Sequence, residues 1–347
     1  MTQGAVWIHV GLAKTGTTTF QRLVFSQHPQ INYLGKNWID DDHAKAALVG
    51  LARLPDRRVN LETARGVFQG LVASAYLVQE SRVSVLSEED FTTFRFIDPQ
   101  TCARRLASIF PDAHVLFVVR EPLDWLQSMY FFRLSLRFPE TLGGFNAWLR
   151  NSLDRRWVGT DIGQIQMGEL AGVYAEYFGA KQLHVMRYED FASDGGSFVS
   201  TICEMIGVDP ALGVQLYETG ADAPYNKARI TERQVRFFQK FGLVMEGRYR
   251  EYLAEVAPLL EALRGPAKKR ARALVPLSLD LDRSQLVDQL RRLSVVLDRE
   301  CRSYFRAANR ATAEIDADLE RRVRQISEPG LNFIASKLNP DVRCYLS

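Results

Sequence analysis

With 347 residues the chain can form one large α/β domain with appendages or two smaller domains, and it is long enough to bury a sizeable core. A composition of 46% hydrophobic and 24% charged residues excludes a disordered chain. The balance of 44 basic against 41 acidic residues, net +3, gives no reason to expect a nucleic-acid partner, yet a few converging Arg and Lys would suit an anionic small ligand.

In chain order, Ala5–Val10 (AVWIHV) is the first predicted strand. It is followed by Arg82–Leu86, His114–Val119 and Leu183–Arg187, short apolar runs without clean alternation that suit strands buried on both faces of a parallel sheet. Predicted helices separate them: Thr17–Gln27, Leu61–Glu80, Pro99–Phe110, the segment from Leu123 onward and Gln164–Phe178. Strands alternating with helices imply βαβ crossovers and a doubly wound parallel α/β core, closing near Gly220. From about Ala228 the texture becomes that of charged amphipathic helices, predicted over Arg229–Phe241, Tyr249–Leu263, Arg283–Arg310 and Thr312–Ile326, with Gly265–Arg272 as an exposed basic turn. The expected division is an α/β core over residues 1–225 and a helical region over 226–347 that packs on the core, extends it, or pairs with a second copy.

Cys102, Cys203, Cys301 and Cys344 form neither a CxxC pair nor a Cys/His ligand spacing, so no metal is suggested. No apolar run reaches the ~20 residues of a membrane helix, and the first residues carry no charged n-region and apolar h-region. These features read as a cytoplasmic protein with reduced thiols.

The first strand runs into Gly11-Leu12-Ala13-Lys14-Thr15-Gly16-Thr17-Thr18-Thr19 and then a helix. A strand, a glycine turn and a helix start together cradle anions, because the first helical N–H groups lack internal acceptors and the dipole is positive there. Lys14 adds a mobile cation and the threonines add donors. A threonine-rich helix cap is the plainer alternative. The loop is not a Walker A sequence, since Lys14 precedes Gly16 where GxxxxGK[ST] puts the lysine after the glycine, and no strand ends in an evident Mg²⁺-binding Asp.

The third predicted strand leads into Arg120-Glu121-Pro122-Leu123-Asp124, with Ser128 and Tyr130 beyond. Arg120 stands at the carboxyl end of a strand, where open α/β sheets bind ligands, and a guanidinium with a nearby hydroxyl can grip a phosphate. The alternative is a surface ion pair of Arg120 with Glu121 or Asp124.

Together the two segments resemble the PAPS-dependent sulfotransferases, of the bacterial and carbohydrate-type branch. Ala13-Lys14-Thr15-Gly16-Thr17-Thr18 matches [P/A]-K-[ST]-G-[ST]-[ST], and Arg120, Pro122, Ser128 and Tyr130 match R-x-P-x-x-x-x-x-S-x-[YF]. Arg187-Tyr188-Glu189-Asp190 resembles the family's Y-E-D strand end, with a structural part. The resemblance covers roughly Ala5–Asp190 and implies a P-loop nucleoside-triphosphate-hydrolase-like fold. It also implies 3′-phosphoadenosine-5′-phosphosulfate (PAPS) as donor and 3′-phosphoadenosine 5′-phosphate (PAP) as product, with no metal required. Lys14, Thr15, Gly16, Thr17 and Thr18 would then hold the 5′-phosphosulfate, and Arg120 with Ser128 the 3′-phosphate. The glycine-rich R-K-G loop of cytosolic small-molecule sulfotransferases is not found.

An acceptor hydroxyl or amine needs a base. Ser87-Glu88-Glu89-Asp90-Phe91 ends the second predicted strand on the same sheet edge, and Glu89, then Glu88, are the candidates, beside the reading of an acidic capping turn. Lys36, in Leu34-Gly35-Lys36-Asn37-Trp38, is either an anion-binding residue or an exposed loop lysine. His43 is a third candidate base; His9, His114 and His184 read as packed histidines. Tyr130-Phe131-Phe132, Trp148 and Trp157 could line an acceptor cleft for a small molecule or a glycan, with core packing the default. Two rival functions stand: a P-loop-like nucleotide kinase or hydrolase, and a non-catalytic nucleotide-binding protein.

Overall fold

The structure, a computed structural model, describes residues 5–36, 41–78, 83–136, 139–154, 161–221, 231–245, 248–274 and 311–346, with isolated positions between 285 and 299. Asn37, Trp38, Arg82, Trp157 and most of the predicted helix 283–310 lie outside the described residues.

Five strands form one parallel sheet: β1 (Val6–His9), β2 (Ile31–Tyr33), β3 (Val83–Ser87), β4 (His114–Val119) and β5 (Leu183–Arg187), in the order β2-β3-β1-β4-β5. The registers Ile8↔Leu86 and Ile8↔Val115 put β1 in the middle, with crossovers running to both sides. This is the expected doubly wound α/β sheet. Val115 to Val119 of β4 are all buried, as near-continuous apolar runs in two-faced parallel strands require. One sheet face packs Trp7, Val85, Leu116 and Val118 against Phe20, Phe25, Phe198 and Ile202.

Two expectations change. β2 was missing from the sequence reading; its three residues are too few to show a pattern, and it is held at the sheet edge by β3 alone. Gly265–Leu274 is a helix, where an exposed turn was expected. Pro266 sits in its first turn, where a missing N–H costs nothing, and Lys268 and Arg272 both reach Glu261 of the preceding helix Tyr249–Ala262 (2.8 and 2.7 Å).

The described chain groups into two compact units, each drawn from separated stretches. The first holds Met1–Leu126, Leu153–Asn226 and Glu320–Ser347, and with them the whole sheet. The second holds Gln127–Ser152 and Lys227–Leu319. Within it, Tyr130 packs between Phe145 and Trp148 at centroid distances of 5.4 and 5.7 Å, and its hydroxyl donates to the Thr141 carbonyl (3.3 Å) while accepting from Gln239. Tyr130 and Trp148 are therefore core residues, and Phe132 is exposed. No helix among the described residues is long and apolar enough to cross a membrane.

Candidate active site

The loop after β1 folds as its sequence requires. Gly16 has φ 82, the left-handed region, and a Cβ there would lie 2.9 Å from the Phe191 ring. Lys14 also has positive φ (69), an uncommon conformation for a residue with a side chain. The chain then turns into a short helix, Thr17–Thr19, that continues over Phe20–Phe25 with π-type i→i−5 bonding. The N–H groups of Thr15 to Thr18 precede the first helical bonds, those of Thr19 and Phe20 to the Gly16 carbonyl (2.8 and 3.2 Å).

The threonines divide by duty. Thr15 and Thr17 are buried and donate to the Leu12 carbonyl (2.6 and 3.2 Å), so their hydroxyls tie the loop to itself. Thr18 is half-buried and makes no hydrogen bond among the described residues through its side chain. The plain capping alternative does not hold for Thr17–Thr19: the cap position is Gly16, with no side-chain cap bond.

β4 supplies the opposite wall. Arg120 donates through Nη1 to the Lys14 carbonyl (3.0 Å) and lies over the Tyr188 ring at 4.4 Å. Trp125 donates through Nε1 to the Ala13 carbonyl (2.8 Å). Two loop carbonyls are thus turned toward β4, a geometry that leaves the loop N–H groups to point elsewhere. Arg120 Nε is buried and has no hydrogen-bond partner among the described residues, an orphaned donor of the kind an oxyanion satisfies. The surface ion pair with Glu121 or Asp124 is not formed: Glu121 instead accepts from the Asp124 N–H (2.7 Å) to cap the helix Pro122–Ser135. Ser128 lies in that same helix, six residues after Pro122, half-buried.

At the end of β3, Glu88 caps the turn Glu89–Thr92 by accepting from the Asp90 N–H (3.2 Å). Gly35 lets the chain after β2 approach; a Cβ there would stand 2.7 Å from the Ser87 carbonyl. The next residue, Lys36, donates its N–H to that carbonyl (3.1 Å), and its ammonium group bridges Glu88 (3.5 Å) and Glu89 (3.4 Å). Lys36 is accordingly an ion-paired residue, not a free loop lysine. Burial works against its charge, but Glu89, Glu88 and Asp90 together outweigh it and hold its pKa above the ordinary lysine value. Burial pushes Glu88 up to about 7, against the pull of Lys36. Lys14 is lowered by burial and by the Arg120 charge, while Glu89 opposes both. A row of ionisable groups therefore runs along the carboxyl edge of the sheet: the like charges Arg120 and Lys14, then Glu89, Lys36 and Glu88, each of opposite type to the one before.

The remaining candidates are placed away from this row. His9 is fully buried beneath the loop, bonded through Nδ1 to Ser87 Oγ (2.8 Å), and burial holds it neutral with a pKa of about 3. His114 and His184 bond each other (3.0 Å) beside Trp7. His43 is exposed in the first turn of the helix Asp42–Arg53. None of these is positioned as a base. Gln21, which donates to Ser87 Oγ (3.0 Å), escaped the sequence reading; the π turn that aims it leaves no mark in the apolar spacing.

The sequence model of the Sulfotransferase family matches residues 8–211, which include every element of this edge. The chain belongs to that family. Among solved structures this sulfotransferase is similar to a sulfotransferase from Alicyclobacillus acidocaldarius, at 21% identity and a TM-score of 0.42, over 72% of this chain and 92% of that one. No curated protein matches it. Family membership makes it a transferase of sulfuryl groups.

Proposed function

We propose that this sulfotransferase moves a sulfuryl group from PAPS to a hydroxyl or amine of a small-molecule or glycan acceptor. The observation that carries the donor assignment is Arg120: a guanidinium at a strand's carboxyl end, beside the phosphate-type loop, with a buried and unsatisfied Nε. In this reading Lys14, Thr15, Gly16, Thr17 and Thr18 form the 5′-side cradle, with the backbone of Thr15 and Thr17 and the hydroxyl of Thr18 as donors. Arg120 and, by its motif, Ser128 hold the 3′-phosphate. Bound there, PAPS supplies the electrophilic sulfuryl group.

The chain's own groups do the rest. Lys14 offsets negative charge that grows on the departing phosphate oxygen. Glu89 accepts the acceptor's proton, since it is the carboxylate coupled to both Lys14 and Lys36. Glu88, more deeply buried and already capping its turn, is the second candidate for that base. Residues 1–225 carry every group named here, and much of the helical region 226–347 is left for acceptor contacts or self-association.

Calorimetric titration with PAP, without Mg²⁺, tests the donor. We expect tight PAP binding, weak ATP binding, and about 10- to 100-fold weaker PAP binding in Arg120→Ala, the loss of charge-assisted hydrogen bonds. A folded protein that ignores PAP, or that binds ATP only with Mg²⁺, overturns the assignment.

A further inference from the structure

The last turn of the chain, Pro340–Leu346, lies outside the residues matched by the family model, yet it is fastened to the end of β5 at several points. Asn339 Nδ2 donates to the Val185 carbonyl (2.9 Å), and Arg187 Nη1 donates to the Asp341 carbonyl (3.1 Å). Val342 and Tyr345 are buried. The Tyr345 hydroxyl donates to Glu189 Oε2. The other oxygen of the same carboxylate, Oε1, accepts the backbone N–H of Glu121 (3.0 Å), the residue that follows Arg120 and caps the next helix. One residue before Glu189, the Tyr188 ring carries the Arg120 guanidinium.

We propose that Tyr345 is a positioning residue of the donor site: through Glu189 it fixes the Arg120–Glu121 peptide, and so the direction in which Arg120 presents its free Nε. A carboxylate anchored at one oxygen only can rotate about its side-chain bonds, and the second hydrogen bond removes that freedom. Arg120 is the common element, since the same guanidinium holds the Lys14 carbonyl. The last turn therefore sets the geometry of the loop without touching the ligand. This inference rests on the PAPS reading for its ligand but not for its structural coupling, and the two are tested separately.

The experiment uses the full chain and its Tyr345→Phe, Glu189→Ala and double variants. Hydrogen exchange without ligand is expected to speed up in Tyr345→Phe over the peptides spanning Ala13–Thr19 and Arg120–Asp124. PAP affinity, read by calorimetry, is expected to fall about five- to tenfold in Tyr345→Phe. The double variant should bind no more weakly than Glu189→Ala, because both changes break one path. Additive losses, unchanged exchange, or faster exchange with unaltered PAP affinity each overturn the proposal. Should the unaltered protein fail to bind PAP, the donor assignment falls, and the exchange result then decides the coupling by itself.

Discussion

Glu88→Gln tests the row of ionisable groups at its buried end. The Glu88 carboxyl is 3% exposed and titrates at about 7, against an ordinary 4.5, with burial the main cause and Asp90 and Glu89 adding to it against Lys36. Because the native state binds this proton more tightly than the unfolded chain, its contribution to stability is fully present below pH 4.5, where both states are protonated. As pH climbs from 4.5 to about 7 the unfolded chain sheds the proton first, so stability falls across that window and is level above it. The full difference is roughly 3 kcal/mol, at about 1.4 kcal/mol per tenfold change in proton affinity. Glutamine keeps the cap acceptor for Asp90 and cannot ionise, and Lys36 retains Glu89. Urea unfolding at pH 5 and pH 8 should therefore show the variant gaining about 2–3 kcal/mol more, relative to the unaltered protein, at pH 8 than at pH 5. An equal effect at both pH values would mean that Glu88 is ionised in the native state throughout, and the burial argument would be wrong.

Two further predictions concern the loop and the base. Gly16→Ala forces a side chain into φ 82 and toward the Phe191 ring, so thermal unfolding should show a loss of about 1–3 kcal/mol, with PAP binding abolished in the calorimeter. Glu89→Gln should lower the rate of sulfuryl transfer from PAPS about 10²- to 10⁴-fold, whether to water or to an acceptor, while PAP affinity stays within a few fold; a parallel loss of PAP binding would make Glu89 a structural partner of Lys14 instead.

The sheet was readable wherever a strand is buried on both faces. β4 is apolar from Val115 to Val119 because helices cover it on each side, and β1 and β3 are buried in the same way, whereas β5, at the sheet edge, is only partly buried. β2 was not readable, since three residues at an edge carry no periodicity. That omission had a consequence for the site. Without β2 there was no reason to bring Lys36 to the end of β3, so Glu89 and Glu88 could be weighed as bases at the sheet edge but not as partners of a lysine. The basic stretch at 265–274 failed for a related reason: Gly265-Pro266 marks a helix start as readily as a turn, and only the Glu261 side chain of another helix decides between them.

The phosphate-type loop and the Arg120 segment could be found because each is contiguous, and each announces its chemistry through residue types at fixed spacing. What the spacing could not carry is that they hold one another. The bonds from Arg120 to the Lys14 carbonyl and from Trp125 to the Ala13 carbonyl join residues more than a hundred positions apart. They give one nitrogen of Arg120 a partner on the loop, while its Nε keeps none among the described residues. A lysine's three donors all sit on one nitrogen and have no planar fork to spread them between separated partners. Arginine has a planar fork of five N–H donors, so it can brace the loop and keep Nε free, and its flat face still stacks on Tyr188. The requirement for arginine at the end of β4 thus follows as much from the shape of the neighbouring loop as from the charge of any ligand.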